Sequence, residues 1–269
     1  MKIKWVVISS IPAFFLILTG CAETPSPAEP YPTRSPRLKI TDLKPSDAIS
    51  LEVQCVFSVI LYRLPLKQID SIPNLLSQLS TKRIQFDDPE GFSANHIWAA
   101  AGGSAQGPEV VTALGRLEAE RVGIKKIILF QDYPEELTGF PVEAGRPLFY
   151  LRGDGTLAGR RVPAGRFSLV LRAQPDMPRR GFSHVEIEPL FRQAALANLP
   201  IATRESLMQS FSLHEGRFGL DMAEGDFLIL SAVKIQQDGS ALGRFFLDPE
   251  SPGTLARLYL ILCQQAGVM

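Results

Sequence analysis

Two glycine-rich segments of the chain have residue types and spacings that could do chemistry. The segment Gly102-Gly103-Ser104-Ala105-Gln106 approaches the G-x-S-x-G turn that presents a nucleophilic serine, but glutamine occupies the position of the last glycine. The segment Gly153-Asp154-Gly155-Thr156-Leu157-Ala158 matches the G-x-G-x-x-A pattern of a dinucleotide site, which needs a helix directly after it. The residues that follow favour a hairpin turn instead. We therefore expect a loop that opens a helix at Pro108 in the first segment, and no bound cofactor in the second.

The residues that could bind a metal or transfer protons form no known constellation. His96, His184 and His214 are far apart and belong to neither an H-E-x-x-H nor a C-x-x-C pattern. The acidic turn at residues 87–90 lacks the repeated oxygen-ligand spacing of a calcium loop. The sequence therefore predicts no metal site and no catalytic residue. The alternative is a hydrolase whose serine, histidine and aspartate converge only in three dimensions.

Cys55 and Cys263 lie within two apolar segments that are predicted to be strands. Outside the cytoplasm they could form a disulfide that closes a very long loop, worth about 5 kcal/mol in the chain-entropy model. The alternative is two buried thiols that pack as small apolar groups. The sequence leaves both interpretations open.

Residues 1–20 have the parts of a secretory signal peptide. Lys2 and Lys4 precede an apolar stretch from Trp5 to Leu18, and Thr19-Gly20 follows it. The stretch is too short to span a bilayer as a helix, which takes about 20 residues. An uncleaved membrane anchor is the alternative.

The segment Leu18-Thr19-Gly20-Cys21 resembles the lipobox of bacterial lipoproteins, in which an aliphatic residue and two small residues precede a cysteine. The resemblance implies diacylglyceryl transfer to the Cys21 thiol, cleavage between Gly20 and Cys21, and acylation, for example with palmitate, of the new amino group. Two or three acyl chains suffice for firm membrane attachment, because each buried CH₂ contributes about 0.8 kcal/mol and one chain alone is marginal.

Residues 21–45 are predicted to be a disordered tether between the lipid and the folded part. The segment contains six prolines with scattered Ser, Thr and Glu, so it cannot bury enough apolar surface to fold. Ala22, which is not aspartate, follows the lipidated cysteine. In Gram-negative lipoproteins this resembles the pattern that is exported to the outer membrane, and it implies a lipid-anchored protein that faces the periplasm.

Residues 46–135 are predicted to form a small α/β module in the order strand, helix, strand, helix, strand. The predicted strands are 48–61, 92–101 and 126–131, and the predicted helices are 66–79 and 108–122. Pro73 would kink or divide the first helix. Gly123 is placed to end the second helix.

Residues 136–269 are predicted to form a β-rich domain, an antiparallel sandwich or a curved sheet. The predicted strands are 147–151, 166–174, 183–191, 205–213, 217–222, 226–233 and 255–264, and residues 188–197 also have a helical interpretation. Turn signals separate the strands at 153–155, 215–216, 224–225 and 238–239. The whole chain is therefore assigned to the α+β class.

The β-rich part resembles the C-terminal homology domain of secretins, the ring-forming outer-membrane proteins of secretion systems. The resemblance rests on Gly165–Leu171, His184–Pro189, Leu220–Leu230, Leu242–Phe246 and Leu255–Leu262, in that order. The late proline-rich stretch of secretins is not evident, and no alternating membrane hairpins stand out. The resemblance implies β-sheet assembly with, or docking to, a secretion-like partner, and does not imply a channel.

The charge of the chain argues against nucleic acid as a partner. The 28 basic and 28 acidic residues balance, and removal of residues 1–20 with their two lysines leaves a net charge of −2. Such a chain lacks the basic surface that binds phosphate backbones. We therefore expect a non-enzymatic envelope lipoprotein that binds a protein partner or scaffolds an envelope assembly.

Overall fold

A computed structural model describes residues 53–130, 133–143, 147–175, 179–194, 210–235, 241–250 and 253–267. The strands are β1 (Val53–Pro65), β2 (Ile84–Phe86), β3 (Ile97–Gly102), β4 (Glu120–Phe130), β5 (Glu135–Val142), β6 (Pro147–Leu151), β7 (Leu157–Arg161), β8 (Gly165–Pro175), β9 (Phe182–Gln193), β10 (Ser210–Ser212), β11 (Phe218–Ala223), β12 (Phe227–Ala232) and β13 (Leu255–Ala266). The α-helices are α1 (Ile72–Leu75), α2 (Pro89–Ala94), α3 (Gly107–Arg116) and α4 (Ala241–Arg244). The predictions for the signal peptide, the lipobox and the tether fall outside the described residues.

The described strands form two main antiparallel sheets and a hairpin. Sheet A has the strand order β3-β12-β13-β1-β4, and sheet B has the order β2-β11-β9-β8-β5 with β10 beside β9. The hairpin consists of β6 and β7. The predicted α+β class with antiparallel sheets is confirmed.

The predicted division between residues 46–135 and 136–269 does not correspond to the sheets. Sheet A combines β1, β3 and β4 from the first part with β12 and β13 from the second. Sheet B takes β2 from the first part and most of its other strands from the second. The two parts share sheets because β1 has its longest pairing with β13, at the far end of the sequence.

Sheet A is the middle layer of the fold. On β1, the side chains of Cys55, Phe57 and Val59 point to the core shared with sheet B, as the alternation in the sequence predicts. Leu64 on the same strand belongs to a second core between sheet A and the helices. The two faces of sheet A therefore bury different sets of apolar side chains.

The segment predicted as the helix 66–79 is helical but divided. A 3₁₀ helix at Leu66–Ser71 leads into α1, and Pro73 occupies the first turn of α1, where a missing N–H costs nothing. The apolar residues predicted to share a face, Ile69, Ile72, Leu76 and Leu79, are all buried. Pro73 therefore divides the segment as the sequence predicted.

Two predictions in the same region are wrong at their ends. The strand predicted over 92–101 begins only at Ile97, because Asp88 caps α2 by accepting a hydrogen bond from the Gly91 N–H. The helix predicted over 108–122 ends at Arg116, and Gly123 lies inside β4 and not at a helix end. Glu118, with a φ of 54°, turns the chain out of α3.

Most of the later strands lie where the sequence predicts them. Strand β9 continues to Gln193, so the helical interpretation of 188–197 is wrong for its described part. Residues 153–155 form the hairpin turn between β6 and β7, and Gly155 has a φ of 77°. In the described part of the chain no helix is long and apolar enough to cross a membrane.

Asn95 fastens the β6–β7 hairpin to α2, and we expect Asn95→Ala to destabilise the protein by about 2–3 kcal/mol. The buried Asn95 amide donates to the carbonyls of Gly91 and Leu151, and its Oδ1 accepts from the Leu151 N–H at 2.9 Å. Alanine leaves the two Leu151 backbone groups without this partner. Urea unfolding would measure the loss, and Thr112→Ala on the exposed side of α3 is the control. Equal midpoints for both variants would contradict the expectation.

Candidate functional site

The outer face of sheet A, on the side of the helices, is apolar and only partly covered. Buried side chains of α3 share a core with side chains of β12 and β13, and among the described residues none of β4 belongs to that core. The strand registers place Leu260, Ile60 and Ile124 side by side in one row across β13, β1 and β4. Ile124 is 57% exposed, and Ile128, four residues further along β4, is also exposed.

This surface deepens into a groove where it meets α3. The groove has a volume of about 300 Å³ and is lined mainly by Val110, Val111, Phe227, Leu260 and Leu262. Val111 is 67% exposed although it belongs to an amphipathic helix. We call the groove together with Ile60, Ile124 and Ile128 the outer apolar face. Its apolar side chains can bind apolar groups.

Strand β4 forms one border of the outer apolar face. Among the described strands it pairs only with β1, and apart from the bridge of Phe130 with Tyr133 its other edge presents main-chain N–H and C=O groups. Arg121, Lys125 and Lys126 give this strand a positive charge against the single acid Glu120. A partner that adds a strand here would therefore match best if it carried acidic and apolar side chains.

A second, polar site lies on the outer face of sheet B. His184 on β9 and Asp221 on β11 are direct partners in the register, and His184 Nδ1 is 2.8 Å from Asp221 Oδ1. Gly219 makes room for the imidazole, because a Cβ there would lie 2.7 Å from His184 Nε2. Arg179 also pairs with Asp221. A histidine oriented by a carboxylate is a recurrent general base.

An open cavity of about 450 Å³ adjoins Asp221. It is lined by Lys82, Arg83, Gln85, Arg179, Phe182 and Asp221. Arg83 is held by Asp226, with 2.5 Å between Nη2 and Oδ2, so its charge is largely compensated. Burial raises the pKa of Asp221, but hydrogen bonds from His184 and Arg179 outweigh it and lower the pKa below its ordinary value. The Asp221 carboxylate therefore stays ionised near neutral pH.

The other histidines are separate from this site. His96 has a φ of 57° and follows α2, and burial together with the nearby Lys234 lowers its pKa. His214 is exposed and lies 3.8 Å from Glu188. Ser183 precedes His184 in β9, so its side chain points to the opposite face and is buried. The structure therefore pairs one of the three histidines closely with a carboxylate and brings no described serine to it.

The remaining candidate residues from the sequence lie at helix starts and hairpin contacts, where they have structural roles. Ser104 opens the short 3₁₀ turn before α3 and lines the groove. Asp88 accepts hydrogen bonds from the N–H groups of Gly91 and Gly153 and so joins α2 to the hairpin. Within the described residues no group of three His, Cys, Asp or Glu side chains could hold a metal ion.

Comparisons with known proteins give no family for this chain. No protein-family model, no curated protein and no solved structure matches it. The arrangement of the side chains is therefore what supports a function.

Sequence reasoning missed both the outer apolar face and the His184–Asp221 pair. Ile124 lay outside both the predicted helix 108–122 and the predicted strand 126–131, which contained only Ile128, and this concealed their common face on β4. The alternation Val122, Ile124, Lys126, Ile128 was the available signal. The pair of His184 with Asp221 depends on the register of β9 and β11, and no local pattern encodes that register.

Proposed function

We propose that this chain is a membrane-anchored cell-envelope lipoprotein whose globular part is not an enzyme and binds a protein partner through the outer apolar face. Cleavage after Gly20 leaves Cys21 as the lipidated first residue, and Ala22 favours an outer-membrane protein that faces the periplasm. The observation that carries the proposal is the apolar row that runs from the partly buried Leu260 and Ile60 to the exposed Ile124, because an exposed apolar surface is typical of interaction sites.

The partner that fits is an extended segment with apolar and acidic side chains. Its main chain would pair with the free edge of β4, and its apolar side chains would cover Ile124 and Ile128. Acidic side chains would face Lys125 and Lys126. The resemblance of residues 165–263 to the secretin homology domain makes an outer-membrane secretion assembly the first candidate to test.

Ile124→Asp should abolish capture of the partner. Lipidated protein would be recovered from its native membrane with a tag, and co-purified proteins would be quantified by mass spectrometry. We expect a stoichiometric protein with the wild type and at least about 10-fold less of it with Ile124→Asp, because a carboxylate replaces a central apolar contact beside β4.

Leu157→Asp is the matched control for this experiment. Leu157 lies on the β6–β7 hairpin, is 65% exposed, and is not part of the outer apolar face. We expect this variant to capture the partner as the wild type does. Recovery of no stoichiometric partner, or equal recovery with Ile124→Asp, would contradict the proposal.

A second candidate function, a membrane-tethered hydrolase, is favoured by the pairing of His184 with Asp221 beside an open cavity. In that case His184 would act as the general base, and His184→Ala would lower hydrolysis of an activated ester at least about 100-fold. His214→Ala, which changes an exposed histidine, is the control. Equal rates for the wild type and both variants would exclude this candidate.

A further inference from the structure

The structure brings the two cysteines of the folded part together, although they are near opposite ends of its sequence. Cys55 lies on β1, the first described strand, and Cys263 lies on β13, the last one. These strands are antiparallel neighbours in sheet A, with Cys55 opposite Ala266 and Cys263 opposite Phe57. A bulge between Val56 and Phe57 leaves one extra residue of β13, Gln264, between the pairs on either side, and the two cysteines are diagonal neighbours across the strands.

Both cysteine side chains belong to the core between the two sheets. Cys55 is 0% exposed and Cys263 is 1% exposed. Their thiols contact each other and are not covalently bonded in the structure. Contact with Cys263 lowers the pKa of Cys55, and contact with Cys55 together with burial raises the pKa of Cys263.

The surroundings of the two thiols fix the end of β13. Cys263 Sγ lies 3.4 Å from the carbonyl oxygen of Gln265, and the Gly267 N–H donates to Ser183 Oγ at 3.0 Å. Ser183 belongs to β9 of sheet B and is buried. The end of β13 is therefore held against both β1 and β9, and the thiols cannot move apart without breaking these contacts.

We propose that Cys55 and Cys263 form an intramolecular disulfide by exchange with the disulfide of an envelope thiol oxidase or of oxidised glutathione. The location outside the cytoplasm, which supplies that oxidant, rests on the proposed function. The pairing itself rests on the adjacent strands, on the contact between the thiols and on their common burial.

The exchange balances in two steps. The Cys55 thiolate attacks one sulfur of the donor disulfide, which forms a mixed disulfide and releases one donor thiolate. The Cys263 thiol loses its proton and attacks the Cys55 sulfur, which forms the Cys55–Cys263 bond and releases the second donor thiolate. The donor gains two electrons and two protons, so a thiol oxidase becomes a dithiol and oxidised glutathione becomes two glutathione thiols. Because both cysteines are buried, we expect the exchange during folding or when the end of β13 separates from β1.

The first experiment refolds the full chain in mixtures of reduced and oxidised glutathione. After alkylation in denaturant and digestion with trypsin without reductant, we expect one cross-linked species that joins the peptides 40–63 and 258–269. The fold holds the two thiols together and so favours the disulfide. The glutathione mixture that oxidises half of the folded chains should therefore be about 100-fold or more reducing than the mixture that oxidises half of the denatured chains. Alkylation of both Cys55 and Cys263 in the refolded chain at every ratio would overturn the proposal.

The second experiment measures the thermal midpoint with and without a strong reductant. Reduction should lower the midpoint of the wild type by about 10 °C or more, because the bond closes the loop from residue 55 to residue 263. We expect the same thermal midpoint for Cys55→Ala, Cys263→Ala and the double variant, and we expect the reductant to leave that midpoint unchanged. A wild type that also ignores the reductant would contradict the bond even if the variants are less stable.

A third measurement separates this proposal from the proposed location. The same cross-linked peptides should be found in protein extracted from the envelope under conditions that trap thiols. If they form with glutathione but are absent from the extract, the pairing stands and the location fails. If they form in neither, the disulfide proposal itself is wrong.

Discussion

Asp248→Ala should destabilise the protein by about 3–5 kcal/mol, because it removes the shared partner of two nearly buried arginines. Asp248 is fully buried in the segment after α4. Its Oδ2 lies 2.6 Å from Arg63 Nε, and its Oδ1 lies 3.5 Å from Arg257 Nη2. Arg63 and Arg257 are direct partners across β1 and β13, so without Asp248 two positive charges would face each other. Urea unfolding of the purified protein measures the loss.

Glu250→Ala is the matched control for the Asp248 prediction. Glu250 also pairs with Arg63, at 2.6 Å, but its side chain is 72% exposed. A solvent-exposed ion pair contributes at most about 1 kcal/mol, so this variant should unfold close to the wild type. Equal losses for the two variants would show that burial of Asp248 does not decide the effect.

The buried acid also illustrates what local sequence can and cannot predict. The alternation of Cys55, Phe57 and Val59 predicts a strand with one buried face, and the structure has it. Gly225, with a φ of 84°, lies at a predicted turn between β11 and β12. Such features depend on a few neighbouring residues. Nothing near Asp248 indicates that the chain will bury it, because its partner Arg63 lies on the first described strand.

The assignment of strands to sheets could not be predicted for the same reason. Strands β1 and β13 pair along most of their length although they are at the two ends of the described chain. Gly123 has the residue type that ends helices, but β4 gains more from pairing with β1 and from burying Ile127 and Leu129. Tertiary contacts therefore outweighed a local preference.

The candidate sites also depend partly on neighbouring residues and partly on contacts between distant strands. The outer apolar face could have been found from the isoleucines of β4 once that strand was recognised. Its connection to the groove depends on the positions of β1 and β13 in sheet A. The His184–Asp221 pair and the Cys55–Cys263 contact depend on registers between distant strands. Residue type made His184 and the two cysteines candidates, and only the fold shows that His184 meets Asp221 and that the cysteines meet each other.

Cys21→Ala should abolish lipidation and processing completely. A thiol is the only nucleophile of this segment that fits the resemblance to a lipobox, and alanine offers none. We expect an unprocessed precursor that takes up no labelled palmitate, while the wild type appears as a shorter, labelled protein in the membrane fraction. Electrophoresis of labelled cells and fractionation of the membranes measure both effects.

Two further variants make the Cys21 experiment specific. Cys263→Ala removes a buried cysteine far from the signal segment and should keep the palmitate label. Ala22→Asp should keep the label but retain the protein in the inner membrane if the outer-membrane sorting signal holds. Normal processing of Cys21→Ala would refute the lipobox, because an ordinary signal peptide would then explain residues 1–20. A wild type that keeps residues 1–20 would instead show that they form an uncleaved anchor.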